Sequence, residues 1–287
     1  MSKPQAVASA EPTARSEFSD IYVVDLRTRK VDRLTSNEDE QFADSPAWSK
    51  TGRIVFSQSA CEGCSARLFV TDPKGSRIKR IPTEVANAFQ PSWSPDGRRI
   101  AVARPVSGIY VTSVDNGTAR RLSKGQADEA PAWSPNGRSI LFHRQVTPTN
   151  WDIYAVSPSG GQLRRLTSDP AQQLHPSWSA DGRKIALAEQ APTGNWVIYT
   201  VNADFTGRKR ITDPQQSSQD PSWSPDGTRI AFVAQVGGRE SVAVIGANGS
   251  RRTILTGTTY AVTAPSWSPD GRKIVFAAKR VSSHYAH

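Results

Sequence analysis

Apolar residues in this chain fall into short runs separated by polar turns, and the runs return at a fixed interval. Residues 100–103 and 230–234 are typical: a few consecutive aliphatic positions bounded by Ser, Pro, Asp and Gly. Runs this short, rich in Ile, Val and Phe, read as buried strands rather than helices. Before each one stands Pro-Xaa-Trp-Ser, six times in all, at 46–49, 91–94, 131–134, 176–179, 221–224 and 265–268. The tryptophans at 48, 93, 133, 178, 223 and 267 are 40 to 45 residues apart, the length of one propeller blade.

The motif runs into a turn. Ser94-Pro95-Asp96-Gly97 returns at 224–227 and 268–271, and in degraded form at 49–52, 134–137 and 179–182. Pro presets φ, and Gly accepts the positive φ that closes the hairpin. The turn thus predicts a hairpin between strands one and two of each repeat. A second hairpin follows at constant length: residues 109–123, 153–167 and 198–212 each hold a Gly-bearing turn, and 68–82 and 242–256 fit the same frame. After Trp267 the chain has room for only two more strands. The missing hairpin is at the other end, where residues 21–35 repeat the frame: Ile21-Tyr22 matches Ile153-Tyr154, and Arg33-Leu34-Thr35 matches Arg165-Leu166-Thr167. The prediction is an all-β, six-bladed β-propeller with four antiparallel strands per blade, closed by the N-terminal hairpin completing the last blade. It spans residues 19–280 as one domain, with tails at 1–18 and 281–287.

Composition narrows the function classes. No apolar run is long enough to span a bilayer, so direct membrane insertion is not expected, and residues 1–20 lack the apolar core of a signal peptide. Two cysteines, Cys61 and Cys64, cannot scaffold a fold of 287 residues. Cys61-Glu62-Gly63-Cys64 reads either as a small disulfide pinning a loop in an exported protein or as two surface thiols. The net charge of +10 raises nucleic acid as a partner. The basic residues, however, sit in the outer hairpins, for example Arg120-Arg121, Arg164-Arg165, Arg208-Lys209-Arg210 and Arg251-Arg252. That is a ring around the perimeter, suited to protecting outer edges, rather than a continuous stripe with interleaved aromatics. Nucleic acid is not expected as a partner, and the chain is expected to be monomeric.

These Pro-Xaa-Trp-Ser-Pro-Asp-Gly repeats resemble those of the TolB-type propellers, a set related to Trp-Asp repeat proteins. The resemblance covers about residues 20–280 and implies a periplasmic or secreted platform that binds proteins or peptides. TolB itself carries an α/β domain before its propeller, whereas only about twenty residues precede the repeats here, so a full TolB role is not expected. Similar propellers accompany serine peptidases, which need a Gly-Xaa-Ser-Xaa-Gly elbow that this chain lacks. Others act as metal-using polysaccharide lyases with several clustered His and a Gln, and only His175 and Gln90 match that set.

Candidate binding residues follow from the connections. Those from strand four to strand one pass the mouth of the central channel and carry acid: Glu38, Asp39, Glu40 and Asp44 in the first, Asp128 and Glu129 in the third, Asp213 and Asp220 in the fifth. They predict an acidic entrance, read either as solvated loop charge or as a site for basic peptide segments or a cation. Gln90 and His175 precede the motif proline in their blades. Trp151 and Trp196 share one repeat position, each after an Asn, and read as caps of the blade edge or as a platform for a peptide or sugar ring. The expected site is therefore Asp44, Gln90, Asp128, Glu129, Trp151, His175, Trp196 and Asp220, with no catalytic set, no resident metal and no cofactor; a cation in the channel is compatible with it. The competing readings are a carbohydrate-active propeller, lectin or lyase, and a sensor domain of a larger membrane receptor.

Overall fold

The computed structural model describes residues 18–36, 41–61, 63–257 and 260–280. Of the expected tails only Phe18 is described; Glu38, Asp39, Glu40, His284 and His287 lie outside the described residues. Among these residues every regular element is a strand, so no helix is long and apolar enough to cross a membrane.

Strands ending on the motif tryptophans, Phe42–Trp48, Phe89–Trp93, Asp128–Trp133, Gln173–Trp178, Ser218–Trp223 and Tyr260–Trp267, come first in their sheets. Each pairs antiparallel with the apolar run after its turn: Ile54–Ser59, Arg99–Arg104, Ile140–Thr147, Lys184–Gln190, Arg229–Val236 and Lys273–Arg280. Third strands follow as Arg67–Thr71, Gly108–Ser113, Asn150–Val156, Trp196–Asn202 and Arg239–Gly246, and short outer strands such as Arg164–Arg165 and Lys209–Arg210 complete the sheets. The second strand Lys273–Arg280 takes its third strand from the opposite end of the chain. Ser19–Asp25 pairs with it along its whole length, from Ser19↔Lys279 to Asp25↔Lys273, and Val31–Arg33 lies outside.

The protein is thus an all-β propeller built of antiparallel four-stranded blades. Four blades are separate sheets, and the remaining eight strands form one sheet whose two antiparallel halves touch at a single parallel pair, Ser19↔Phe42.

The blades pack face to face through their second strands. Phe56, Phe142, Phe232 and Phe276 occupy the same place in four of these strands and are all 0% exposed. Full burial of a side chain this size contributes about 1.5–3 kcal/mol. The motif tryptophans join neighbours, as the repeat predicts. Trp93 Nε1 donates to the Ala47 carbonyl of the preceding blade at 3.0 Å, and Trp267 Nε1 does the same to Ser222. The Arg53, Arg99 and Arg229 guanidiniums lie 4.9, 5.0 and 4.6 Å from the ring centres of Trp93, Trp133 and Trp267. Motif serines add a second tie: Trp133 N–H donates to Ser92 Oγ at 3.2 Å, and Trp48 N–H to Ser266 Oγ at 3.1 Å, binding the end of the chain to its beginning.

Candidate functional site

The residue before each motif proline controls the inner face. Proline disfavours the α region for its predecessor, and here that predecessor takes a left-handed conformation in every first strand: Ser45, Gln90, Ala130, His175, Asp220 and Ala264 have φ between 47° and 51°. Each lies where the ladder slips between the first and second strands, for example between Glu129 and Ala132. Such a bulge re-aims side chains, and a left-handed non-Gly residue is a strained state worth about 1–2 kcal/mol. The six positions form a ring around a central cavity of about 550 Å³, lined also by Asp44, Gln219 and Glu240 and, among the described residues, by no Lys or Arg.

Side chains of this ring reach from one blade to the next. Gln90 Oε1 accepts from Ala130 N–H at 2.9 Å, and Asp220 Oδ2 accepts from Ala264 N–H at 3.0 Å. Asp44 Oδ1 accepts from Ser45 N–H at 2.6 Å and from Thr263 Oγ1 at 3.0 Å. His175 Nδ1 stands 2.7 Å from Asp220 Oδ1, an ion pair whose approach is off-line for a hydrogen bond. Burial opposes charge on both partners, but their mutual attraction prevails. It holds Asp220 below the usual carboxylate range and His175 above its ordinary value. Glu240 is raised, first by burial and then by the charge of Asp220.

Behind His175 lies a residue outside the expected site. His143, in the second strand of the neighbouring blade, is 2% exposed, and burial pushes it down to about 4. Its Nδ1 accepts the His175 N–H at 3.2 Å. The neutral ring therefore carries its proton on Nε2, 3.7 Å from Glu129 Oε2. The nearby His143 ring is the main reason Glu129 lies below the usual carboxylate range. The His143 ring stands edge-on to Trp151 and to His175, both at 5.2 Å between centroids.

Asp44, Gln90, His175 and Asp220 thus share the mouth, and Glu129 and Trp151 are tied to it through His143. All but Trp151, which stands in the third strand Asn150–Val156, lie in the first strands rather than in the connections, because each first strand begins before the bulge. Asp128 differs from expectation. Its position alternates away from the axis, and it is 1% exposed between blades. There it takes Arg144 Nε at 2.6 Å and Nη2 at 2.7 Å, together with Ser123 Oγ and the Gly125 N–H. Trp196 is held apart from Trp151: it packs on the cluster containing Ile198 and Phe232, and its N–H donates to Ser217 Oγ. Cys61 and Cys64 are joined as a disulfide. Among the described residues no three His, Cys, Asp or Glu are placed to hold a metal ion.

Two residues here were missed, and comparing repeats finds both. His143 pairs across the ladder with Glu129, and the corresponding second-strand positions are Ser57, Ala103, Ala188, Val233 and Ala277. Only His143 titrates among them. Glu240 occupies the repeat position of Trp151 and Trp196, each opposite a Gln of the second strand.

A model of the TolB β-propeller domain matches residues 3–150 and again residues 146–285. The solved structure of a putative TolB from Agrobacterium tumefaciens is 25% identical with a TM-score of 0.76, over 93% of this chain and 100% of that one. TolB from Acinetobacter baumannii is 19% identical with a TM-score of 0.64, over 92% of this chain and 64% of that one. An oligogalacturonate lyase from Vibrio parahaemolyticus is alike in fold alone, at 12% identity and a TM-score of 0.59 over 94% and 98%. No curated protein matches.

Proposed function

The chain belongs to the TolB β-propeller domain family, and from that premise we propose that it is a non-catalytic platform binding protein or peptide ligands at its acidic channel mouth. In this reading the ring has six blades, the eight-stranded sheet being two blades that touch at Ser19↔Phe42, with Ser19–Asp25 and Val31–Arg33 completing the last one. One observation carries the binding role: a cavity of about 550 Å³ opens on the axis, with Asp44, Asp220 and Glu240 on its wall and, among the described residues, no Lys or Arg and only His175, paired with Asp220, to offset them. The ligand group that fits is a Lys, Arg or terminal ammonium of a partner segment, entering a site whose acceptors are already fixed in place by blade-to-blade contacts. Polyuronates would be repelled there, which favours peptide over a carbohydrate-active role.

The same reading makes the protein extracytoplasmic and monomeric. Similarity to TolB and the Cys61–Cys64 disulfide support the location, since disulfides persist in oxidising compartments. The short, exposed, charged outer strands support the monomer, since they are poor templates for edge pairing.

A peptide array carrying Lys- or Arg-bearing segments and their Glu-substituted counterparts tests the proposal. The wild type should retain the basic set, and Asp44→Asn/Asp220→Asn/Glu240→Gln should bind it at least about tenfold more weakly, some 1.4 kcal/mol. Equal retention of both sets, or undiminished binding by the triple variant, would sink it.

A further inference from the structure

The opposite face, formed by the strand one-to-two and three-to-four turns, carries a second cavity of about 720 Å³. It lies between the blade of Arg239–Gly246 and the blade of Ser19–Asp25. Arg29, Arg229 and Arg251 are on its wall, with Asn248 and Ser250, and the lining holds no carboxylate. Elsewhere among the described residues several arginines are neutralised by carboxylates: Arg33 pairs with Asp20, Arg165 with Asp152, Arg208 with Glu189 and Arg144 with Asp128. Arg229 is fixed in the wall by the Trp267 ring at 4.6 Å and a bond to the Gly271 carbonyl at 3.3 Å, and reaches Asp226 only at 3.7 Å. Arg29 touches only the Ile254 carbonyl, at 3.5 Å.

The backbone marks the other two arginines. Arg29 has φ 62° and Arg251 φ 55°, both left-handed. Arg29 is the ninth residue of its fifteen-residue hairpin, where the sister hairpins place Gly117 and Gly161; Arg251 is the tenth, where another places Gly207. Those glycines share the positive φ, which glycine adopts freely; the other sister hairpins carry Ser76, Thr206 and Ser250 at the ninth position and Lys30, Arg77, Thr118 and Gln162 at the tenth, without positive φ. In this one joint, arginine takes two left-handed positions of a kind that glycine holds in some sister hairpins, despite the strain, and both arginines face the same cavity. Strain retained at a concave cationic wall whose lining holds no carboxylate is a mark of a binding site.

We propose that this cavity binds a phosphoryl oxyanion, held by the guanidiniums of Arg29, Arg229 and Arg251. Planar guanidinium forks match phosphate oxygens two at a time. The Asn248 Oδ1 is occupied by Ser250, leaving its Nδ2 as a further donor on the wall. The oxyanion is either the free ion or the phosphoryl group of a phosphorylated saccharide. The site is remote from the acidic mouth and independent of it.

The sister hairpins supply the test. Arg29→Gly/Arg251→Gly places at both left-handed positions the residue that adopts positive φ without strain, as Gly117, Gly161 and Gly207 do in sister hairpins, so it should fold and melt at or above the wild-type temperature. Isothermal titration and thermal shift of the full chain would be run with inorganic phosphate, glucose 1-phosphate and glucose, each at ionic strength matched with sodium chloride. The wild type should be stabilised by phosphate or glucose 1-phosphate beyond the chloride control, and the double variant should bind at least tenfold more weakly. Tighter binding of glucose 1-phosphate than of phosphate identifies the saccharide ester as the source, and equal affinities identify the free ion; either supports the site. No stabilisation beyond chloride, or equal binding by the glycine variant, overturns it.

Discussion

His143 makes the stability of this propeller depend on pH in a way that one substitution removes. The imidazole is buried between blades, and its folded value lies at about 4 against an ordinary 6.5. Between these values the unfolded chain binds a proton that the folded protein refuses, so stability rises with pH across the window. At 1.36 kcal/mol per unit, the residue contributes about 3 kcal/mol that is intact above pH 6.5 and lost as pH falls to 4. His175 works in the opposite sense: raised by Asp220, its contribution is full below its unfolded value and fades as pH climbs through its folded one. The net slope is therefore smaller than His143 alone would give, and the difference between wild type and His143→Asn isolates it. Asn is the chosen replacement because its Oδ1 reproduces Nδ1, which accepts the His175 N–H at 3.2 Å. Urea unfolding followed by tryptophan fluorescence at intervals from pH 4 to pH 8 would measure both proteins. The two stability curves should converge near neutrality and separate by up to about 3 kcal/mol at the acid end, the variant being the flatter. Parallel curves would refute the reasoning, as would a His143 ring proton that titrates near 6.5 by NMR.

Two further perturbations test the frame that holds the site. Removing residues 1–36 takes away Ile21, Val23 and Val24, which are at most 4% exposed, and uncovers the edge of Lys273–Arg280; the truncated protein should aggregate or lose its cooperative melt, and a soluble, sharply melting truncation would refute closure by the N-terminal strand. Asp128→Ala strands Arg144 at a blade interface and should cost about 3–5 kcal/mol in chemical unfolding, the range for breaking one side of a buried ion pair, whereas a loss below about 1 kcal/mol would mean that solvent reaches the guanidinium.

The frame was legible because its determinants are local and repeated. Pro-Xaa-Trp-Ser fixes where each first strand ends, the Gly-bearing turn fixes the hairpin, and the match of Ile21-Tyr22 to Ile153-Tyr154 predicts a pairing across more than 250 residues that the ladder of Ser19–Asp25 on Lys273–Arg280 realises. The acidic mouth was legible in outline, since Asp44 and Asp220 do line it. Its detail was not, because a bulge changes which residues of a strand face inward. Counting back from the proline puts Asp128 and Asp220 alike near the mouth. The left-handed conformation then sends Asp220 onto the axis and leaves Asp128, two residues before the left-handed Ala130, against Arg144.

The two faces of the disc are consistent with this division. Where the repeat is undisturbed, its polar residues serve the fold: Asp96 and Asp226 accept from the serines of their own turns, and the Arg33 and Arg165 forks close on Asp20 and Asp152. Among the described residues, charge of one sign gathers on a cavity wall at the mouth and again at the far face, and departures from the repeat contribute to both. At the mouth the residue before the proline becomes His175 or Asp220 where two other blades carry Ala, and Glu240 stands where two sister blades have tryptophan. At the far face arginine takes two left-handed turn positions that glycine holds in some sister hairpins. A closed ring of near-identical blades has little need of such exceptions for stability, since Ala130 and Ala264 take up the same backbone at the same φ. The exceptions create one concave acidic surface on the axis and one concave basic surface between two neighbouring blades at the far face.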